Sequence, residues 1–125
     1  MTAEAIKQDF ESAMVKHLAF KARLRSFLYG NNNSEGPLRD PEQCTLGQWI
    51  SERRRGAYRL VPEMNELDQQ HRHIHQQANE LMDRFRAGQQ AQAQAGFAEV
   101  QRTADYITEL LQTIETQVRT AGASR

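Results

Sequence analysis

The sequence predicts an all-α fold, an antiparallel helical bundle of three long helices plus one short helix that carries the only cysteine. Apolar residues recur at alternating steps of four and three in three long segments, which is the pattern by which amphipathic helices pack. Proline is absent from the interiors of all three segments, and no strand-like alternation competes with the helical pattern. The 125 residues suffice for one core, so we expect a single domain over residues 1–125.

Each long helix is predicted from its own stripe of core-facing positions. The three stripes are Ile6, Phe10, Ala13, His17, Phe20, Leu24 and Phe27; then Met64, Leu67, His71, Ile74, Ala78, Leu81 and Phe85; then Phe97, Val100, Ala104, Ile107, Leu111, Ile114 and Val118. Tyr106 and Leu110, beside the last stripe, suggest a second apolar strip that would support dimerisation.

The breaks between helices are marked by turn-forming residues. The Gly-, Asn- and Ser-rich segment 29–41 predicts the end of the first helix and a loop. Asp40 followed by Pro41 has the pattern of an N-cap with proline at the first helical position. The short helix would then continue to Gly56.

The remaining boundaries follow from two further turn signals. Pro62 can open the next long helix, and the segment around Gly88 separates that helix from the last one. We expect a frayed tail at about residues 120–125.

Composition excludes several classes of function. Sixteen basic and sixteen acidic residues cancel, which argues against a nucleic-acid or anionic-membrane partner because such partners select a basic excess. The arginine run in residues 51–56 is typical of a solvated helix end. No apolar run approaches the roughly 20 residues that a bilayer span requires, and the polar N-terminus is unlike a signal peptide. A single cysteine makes no internal disulfide, so we expect a cytoplasmic protein.

Histidines occupy core-facing positions of two helices. His17 and His71 replace apolar residues in their stripes, and His75 follows His71 by four residues, about 40° further round the same face. His73 lies roughly 200° away from His71 and is predicted to face solvent. An unpaired buried polar group costs about 1–3 kcal/mol, so a lone inward histidine is best read as a satisfied core residue. An i, i+4 pair with a third histidine on a neighbouring helix favours a metal instead.

The depth of the histidines agrees with a shared ion. His17 lies about 13 residues before the end of the first helix, and His71 lies about 9 residues after the start of the next long helix. At about 1.5 Å per residue and with antiparallel packing, we expect both helices to present these side chains within about one turn of the same level.

Cys44 is the candidate fourth ligand. A free cysteine is most often a small buried hydrophobe, but this one is predicted in the first turn of the short helix, where the thiolate is favoured. Three imidazoles and one thiolate form a four-coordinate set suited to zinc; copper or cobalt could also occupy it, but zinc is the usual metal of closed tetrahedral sites of this kind. Asp68, three residues before His71, is the candidate carboxylate for holding a ligand imidazole.

Three stretches together resemble the chemoreceptor zinc-binding domain family: "HLAFKARLRSFLYG" from His17, "CTLGQW" from Cys44 and "HRHIH" from His71. The resemblance covers nearly the whole chain and implies that His17, Cys44, His71 and His75 bind zinc in a helical bundle that forms a homodimer. It also implies bacterial signalling of the chemotaxis or cyclic-di-GMP type, with a chemoreceptor or signalling enzyme as partner. The signal would be zinc, or oxidation of the cysteine by an oxidant such as hypochlorous acid.

Two neighbours of Cys44 have physical roles in such a site. Gly47 would let neighbouring backbone approach closely, and Trp49 would anchor the short helix through its large apolar area. The alternative function is a structural, zinc-stabilised dimerisation module without sensing. We do not expect an enzyme, because four protein ligands leave no open position for water and no His-Glu-x-x-His pattern occurs.

Overall fold

The protein is helical throughout the part of the chain that the computed structural model describes, residues 1–31 and 34–123, and no strand occurs there. The predicted all-α class is therefore confirmed. The helices are α1 (Ala3–Leu28), α2 (Gly36–Arg39), α3 (Thr45–Arg55), α4 (Glu63–Arg86), α5 (Gln90–Ala95) and α6 (Phe97–Ala123).

The three predicted stripes form the core. Every position of the first stripe is buried, as are all of the second except the half-buried Phe85. In the third stripe only the end residues Phe97 and Val118 are half-buried. Burial of these faces against one another removes their apolar area from water, which is the main force that assembles the bundle. Leu110 is also buried, at 6% exposure, so the expectation that it belongs to an exposed strip is wrong; its neighbour Tyr106 is 40% exposed.

Helix α3 runs antiparallel to both α1 and α4, so α1 and α4 run in the same direction. The rings of Phe20 and His75 lie 4.7 Å apart and those of Phe27 and Phe85 lie 5.4 Å apart, so positions advance together along both helices. The reason is α3, which carries the chain back along α1 before α4 begins. His17 and the two α4 histidines lie at a common level along the bundle, as predicted. That prediction assumed that α1 and α4 are antiparallel, and this assumption is wrong.

The short helix begins later than the sequence predicts. Asp40 and Pro41 do not open it: the Asp40 carboxylate accepts from the Glu42 N–H at 2.9 Å and its carbonyl accepts from the Gln43 N–H at 3.0 Å, which closes a separate turn. Helix α3 starts at Thr45 with Cys44 at the N-cap. The predicted end at Gly56 is confirmed.

The other boundaries agree with the sequence, with two additions. Helix α1 ends at Leu28, and Pro62 is the N-cap of α4. Gly88 adopts φ +86° between α4 and α5, a conformation that favours glycine. The short helices α2 and α5 are additions that the sequence reading did not contain. The predicted frayed tail overlaps the end of α6, and residues 124 and 125 lie outside the described residues.

No helix in residues 1–31 and 34–123 combines the length and the apolar character that crossing a membrane requires.

Candidate metal centre

Three of the four predicted ligands converge in the bundle interior. The ligand atoms of Cys44, His71 and His75 all lie within 4.8 Å of one another, and all three residues are buried. Helix α4 supplies both histidines, because an i, i+4 spacing places them one above the other on its inner face. The N-cap of α3 supplies the cysteine.

The two imidazoles of α4 are spaced as ligands of one ion. Their Nε2 atoms lie 3.1 Å apart, and their rings meet edge-to-face with centroids 4.5 Å apart. Two nitrogens at ~2.0–2.1 Å from one tetrahedral zinc ion are separated by ~3.3–3.4 Å, so the observed spacing already approaches that of a zinc site.

A main-chain carbonyl sets the tautomer of His75. The carbonyl oxygen of Leu38 can only accept, so the Nδ1–H of His75, 2.8 Å away, donates to it. The lone pair of His75 therefore belongs to Nε2, the atom that faces His71. A ligand imidazole whose other nitrogen donates to a carbonyl is the usual arrangement in zinc proteins, so the donor set fits a metal.

Cys44 is positioned to bind with its sulfur rather than to cap the helix. It occupies the N-cap of α3, but its side chain makes no capping hydrogen bond and is 4% exposed. The sulfur makes no capping hydrogen bond and lies within 4.8 Å of a ring nitrogen of each α4 histidine, which together form a nitrogen and sulfur donor set of the kind that zinc prefers.

Burial keeps the histidines neutral and therefore able to bind a metal. Burial, followed by the nearby charges that His75, His17 and Arg72 would carry, lowers the pKa of His71 to about 3. Burial likewise lowers the pKa of His17 and of His75, although their carbonyl hydrogen bonds act in the opposite direction. At neutral pH all three imidazoles retain a lone pair, which metal binding requires.

His17 is buried next to the group but is not part of it. Its ring is 1% exposed, and its Nε2–H donates to the Ala104 carbonyl of α6 at 3.0 Å. That bond leaves the lone pair on Nδ1. The three ligand atoms that come together within 4.8 Å are those of Cys44, His71 and His75. The assignment of His17 as the fourth ligand stays a prediction.

Asp68 does not have the role that the sequence suggested. Among the described residues its carboxylate pairs with Arg72 at 3.2 Å and with Arg54 at 4.0 Å, while main-chain carbonyls hold the imidazoles of His17 and His75. The hydrogen-bond partner of the His71 ring in the described part of the chain is Nε2 of His75. His73 is exposed, as predicted.

Gly47 is required by close contacts beside the metal ligands. A Cβ at this position would lie 2.0 Å from the carbonyl oxygen of Pro41 and 2.8 Å from Cε1 of His71. The backbone of α3 therefore lies directly against the ring of a ligand and against the segment that leads into Cys44. This confirms the prediction that Gly47 allows a close backbone approach.

Helix α2 contributes a part of the site that sequence reasoning missed. Its Leu38 carbonyl orients His75, and Asn79 of α4 fixes α2 in place: its Nδ2 donates to the Arg39 carbonyl at 3.0 Å, and its Oδ1 accepts from Arg39 at 3.0 Å. Glu35 adds an ion pair with Arg86. A carbonyl has no sequence signature, so only Pro37 at the start of the helical turn gave a local signal.

Two separate hollows are lined by residues of the candidate site. A cavity of about 160 Å³ between α1 and α2 is lined by Cys44, with Lys16 and Arg23 at its wall. A cleft of about 510 Å³ between α3 and α4 is lined by His71 and Gly47. The buried sulfur and the buried imidazole of His71 thus border different hollows of the surface.

The fold and the site together define a class of protein: a helical domain with a buried group of two histidines and one cysteine that could hold a metal ion. Within that class, the chemoreceptor zinc-binding domain family matches residues 17–82, and the chain belongs to this family. The protein is accordingly a zinc-binding signalling module, and the Cys44, His71 and His75 group fits its zinc site. No curated protein and no solved structure shows significant similarity to the chain.

Proposed function

We propose that this domain is a sensor in bacterial chemotaxis or cyclic-di-GMP signalling, and that Cys44 is the ligand whose release carries the signal. The observation that supports this most directly is the placement of the ligands. His17, His71 and His75 belong to long helices of the core, whereas Cys44 is the N-cap of the eleven-residue α3 and follows a non-helical segment. Release of Cys44 therefore disturbs less buried structure than release of any histidine.

When bound, zinc holds the Cys44 sulfur as a thiolate and links α3 to α4. His17 is proposed to complete the set through Nδ1, the nitrogen that its bond to Ala104 leaves without a proton. The resulting unit of one zinc and one thiolate carries a net positive charge, and the Leu38 and Ala104 carbonyls lie on the outer nitrogens of two imidazoles. Four protein ligands leave no position for a reacting water, so we propose no catalytic activity.

Two signals are compatible with this site. A fall in free zinc empties it, and an oxidant modifies the sulfur. With hypochlorous acid the thiolate is oxidised to sulfenic acid while the chlorine leaves as chloride, and the product is a weaker zinc ligand. The cavity of about 160 Å³ that Cys44 lines, with Lys16 and Arg23 at its wall, supports the access of a small oxidant.

Hydrogen exchange tests the proposed release of α3. We expect residues 41–56 to lose protection in Cys44→Ala and in hypochlorite-treated wild-type protein, while the core of α4 keeps its protection. Unchanged protection of residues 41–56 in both samples would contradict the switch. That result would instead favour the alternative function, a structural module that zinc stabilises without sensing.

The setting of the domain is part of the proposal. We propose a cytoplasmic homodimer that acts on a chemoreceptor or signalling enzyme, with no nucleic-acid or membrane partner. Exposed apolar side chains on α1, Val15 at 66% and Leu18 at 47%, support a protein-protein contact on that helix.

A further inference from the structure

A second anchor of α3 lies at the opposite end of the helix from Cys44. The carboxylate of Asp9, on α1, accepts four hydrogen bonds there. Arg53 donates two of them in a forked pair, at 2.7 and 2.8 Å, the indole N–H of Trp49 donates a third at 3.0 Å, and the Tyr58 hydroxyl donates the fourth at 2.5 Å. We call these four residues the Asp9 clamp.

Aromatic packing shields the Asp9 clamp from water. The Phe10 ring meets Trp49 edge-to-face at 5.3 Å and stacks on Tyr58 at 5.2 Å. The Arg53 guanidinium lies 5.7 Å from the centre of the Trp49 ring. The Asp9 side chain is only 10% exposed, so this ion pair is desolvated, and losing one partner leaves a poorly solvated charge.

The pKa shifts of Asp9 and Arg53 agree with a tight ion pair between these two side chains. Burial acts to raise the pKa of Asp9, but the hydrogen bonds from Arg53, Tyr58 and Trp49 outweigh it, and the pKa lies below its usual value. Asp9 also raises the pKa of Arg53. The carboxylate is thus ionised in the folded protein, as the forked pair requires.

The clamp and the metal ligands act on one rigid element. Helix α3 spans eleven residues, about 16 Å at 1.5 Å per residue, with Cys44 at its N-cap and Arg53 in its last turn. Between them the backbone at Gly47 lies so near the Pro41 carbonyl and the His71 ring that a Cβ would not fit. A short helix held at both ends moves as a unit, so loss of one anchor changes the freedom of the other.

We propose that Asp9 is a positioning residue of the zinc site. By fixing the far end of α3, it holds Cys44 in reach of His71 and His75, and zinc bound through Cys44 in turn strengthens the clamp. The inference rests on the proposed role of Cys44 as a zinc ligand. Coupling between two sites is reciprocal, so each anchor changes the strength of the other by the same factor.

Zinc affinity measured by competition with a chelator tests this coupling. We expect Asp9→Asn to weaken zinc binding by about 5- to 50-fold, within the usual range of coupling between sites. Tyr58→Phe removes one of the four hydrogen bonds and should weaken binding less, in the same direction. The control is Glu115→Gln, which removes one carboxylate from a surface pair with Arg119 on α6 and should leave zinc affinity unchanged.

The Cys44→Ala background separates positioning from a general loosening of the fold. Without the sulfur, zinc no longer touches α3, so Asp9→Asn should cause no further loss of affinity there. An equal loss in both backgrounds would show a merely structural role and overturn the proposal. Equal zinc affinity in Asp9→Asn and wild type would also overturn it, while leaving the proposed zinc site intact.

The single tryptophan gives a second readout in the same samples. Because Trp49 belongs to the clamp, removing zinc from the wild type should shift its fluorescence to longer wavelength. In Asp9→Asn the shift should already be present with zinc bound. Wild-type protein that holds no zinc would overturn the proposed function and the clamp coupling together; zinc binding without any change in Trp49 emission would overturn the coupling alone.

Discussion

Gly47 lies beside the proposed metal ligands, where even a methyl side chain would collide with its neighbours. The Cβ of Gly47→Ala would overlap the Pro41 carbonyl, at 2.0 Å, and crowd the His71 ring, at 2.8 Å. Backbone cannot rotate away as a side chain can, so α3 must shift from α4. We expect a loss of about 1–3 kcal/mol in the free energy of unfolding, typical of overpacking, and about tenfold weaker zinc binding.

Gly88→Ala is the matched control for this prediction. Nothing lies within 4 Å of a Cβ at Gly88, but its φ of +86° is strained for alanine. This control should lose stability through backbone strain and keep its zinc affinity. Denaturant unfolding and chelator competition on both variants provide the measurement; equal zinc affinity in Gly47→Ala and wild type would contradict the account.

The depressed pKa of Asp9 makes the free energy of unfolding depend on pH in the acid range. Its pKa is depressed in the folded protein, where it faces Arg53 and Tyr58, relative to about 3.9 in the unfolded chain. A depressed carboxyl stabilises the fold above the unfolded pKa, and that stabilisation is lost as the pH falls through the folded pKa. Urea unfolding of metal-free protein at about pH 5 and about pH 3 should show a smaller drop for Asp9→Asn than for wild type. Equal drops would show that Asp9 does not titrate in this way.

At the scale of elements, α3 differs from the other helices that surround the candidate metal centre. The Asp9 clamp holds one end of α3 and the proposed zinc ligand Cys44 would hold the other, whereas α1 and α4 are held along their whole length by buried stripes. This difference makes α3 the element that can detach while the rest of the bundle persists. Under the proposed function, a signal that begins at the Cys44 sulfur would reach α1 through Asp9.

The apolar stripes of the sequence predicted the three long helices. They also predicted that the two histidines of α4 lie on one face. Apolar spacing located α1, α4 and α6, and an i, i+4 spacing put His71 and His75 on one face. The supporting groups were not predictable, because the Leu38 and Ala104 carbonyls carry no side-chain signal. The start of α3 was misplaced because Asp40 and Pro41 also suit an isolated turn, which is what they form.

The direction of α1 relative to α4 depended on tertiary structure. The two stripes do not specify whether α1 and α4 run parallel or antiparallel. They run parallel because α3 carries the chain back before α4 begins. Asp9 was missed for a similar reason: it is forty residues from Trp49 and forty-four from Arg53 along the chain.

At the scale of the whole molecule, the exposed apolar residues of α1 predict an oligomer. Burying Val15 and Leu18 against a second copy would remove large apolar side chains from water. Leu18→Glu should convert the proposed dimer to a monomer, because it would place a charge in the contact. Leu60→Glu, at a position 81% exposed outside α1, is the control that should remain dimeric. Light scattering measures the oligomeric state of the wild type and of both variants. A monomeric wild type, or a dimeric Leu18→Glu variant, would contradict this interface.

The proposed function depends on one zinc ion that binds through Cys44 and the three buried histidines. The most direct test is the metal content of protein purified under reducing conditions, with zinc affinity for wild type, Cys44→Ala and His17→Gln. We expect one tightly held zinc per chain in the wild type, and binding that is weakened but retained in both variants. Wild-type protein without zinc, or equal affinity in wild type and Cys44→Ala, would contradict it.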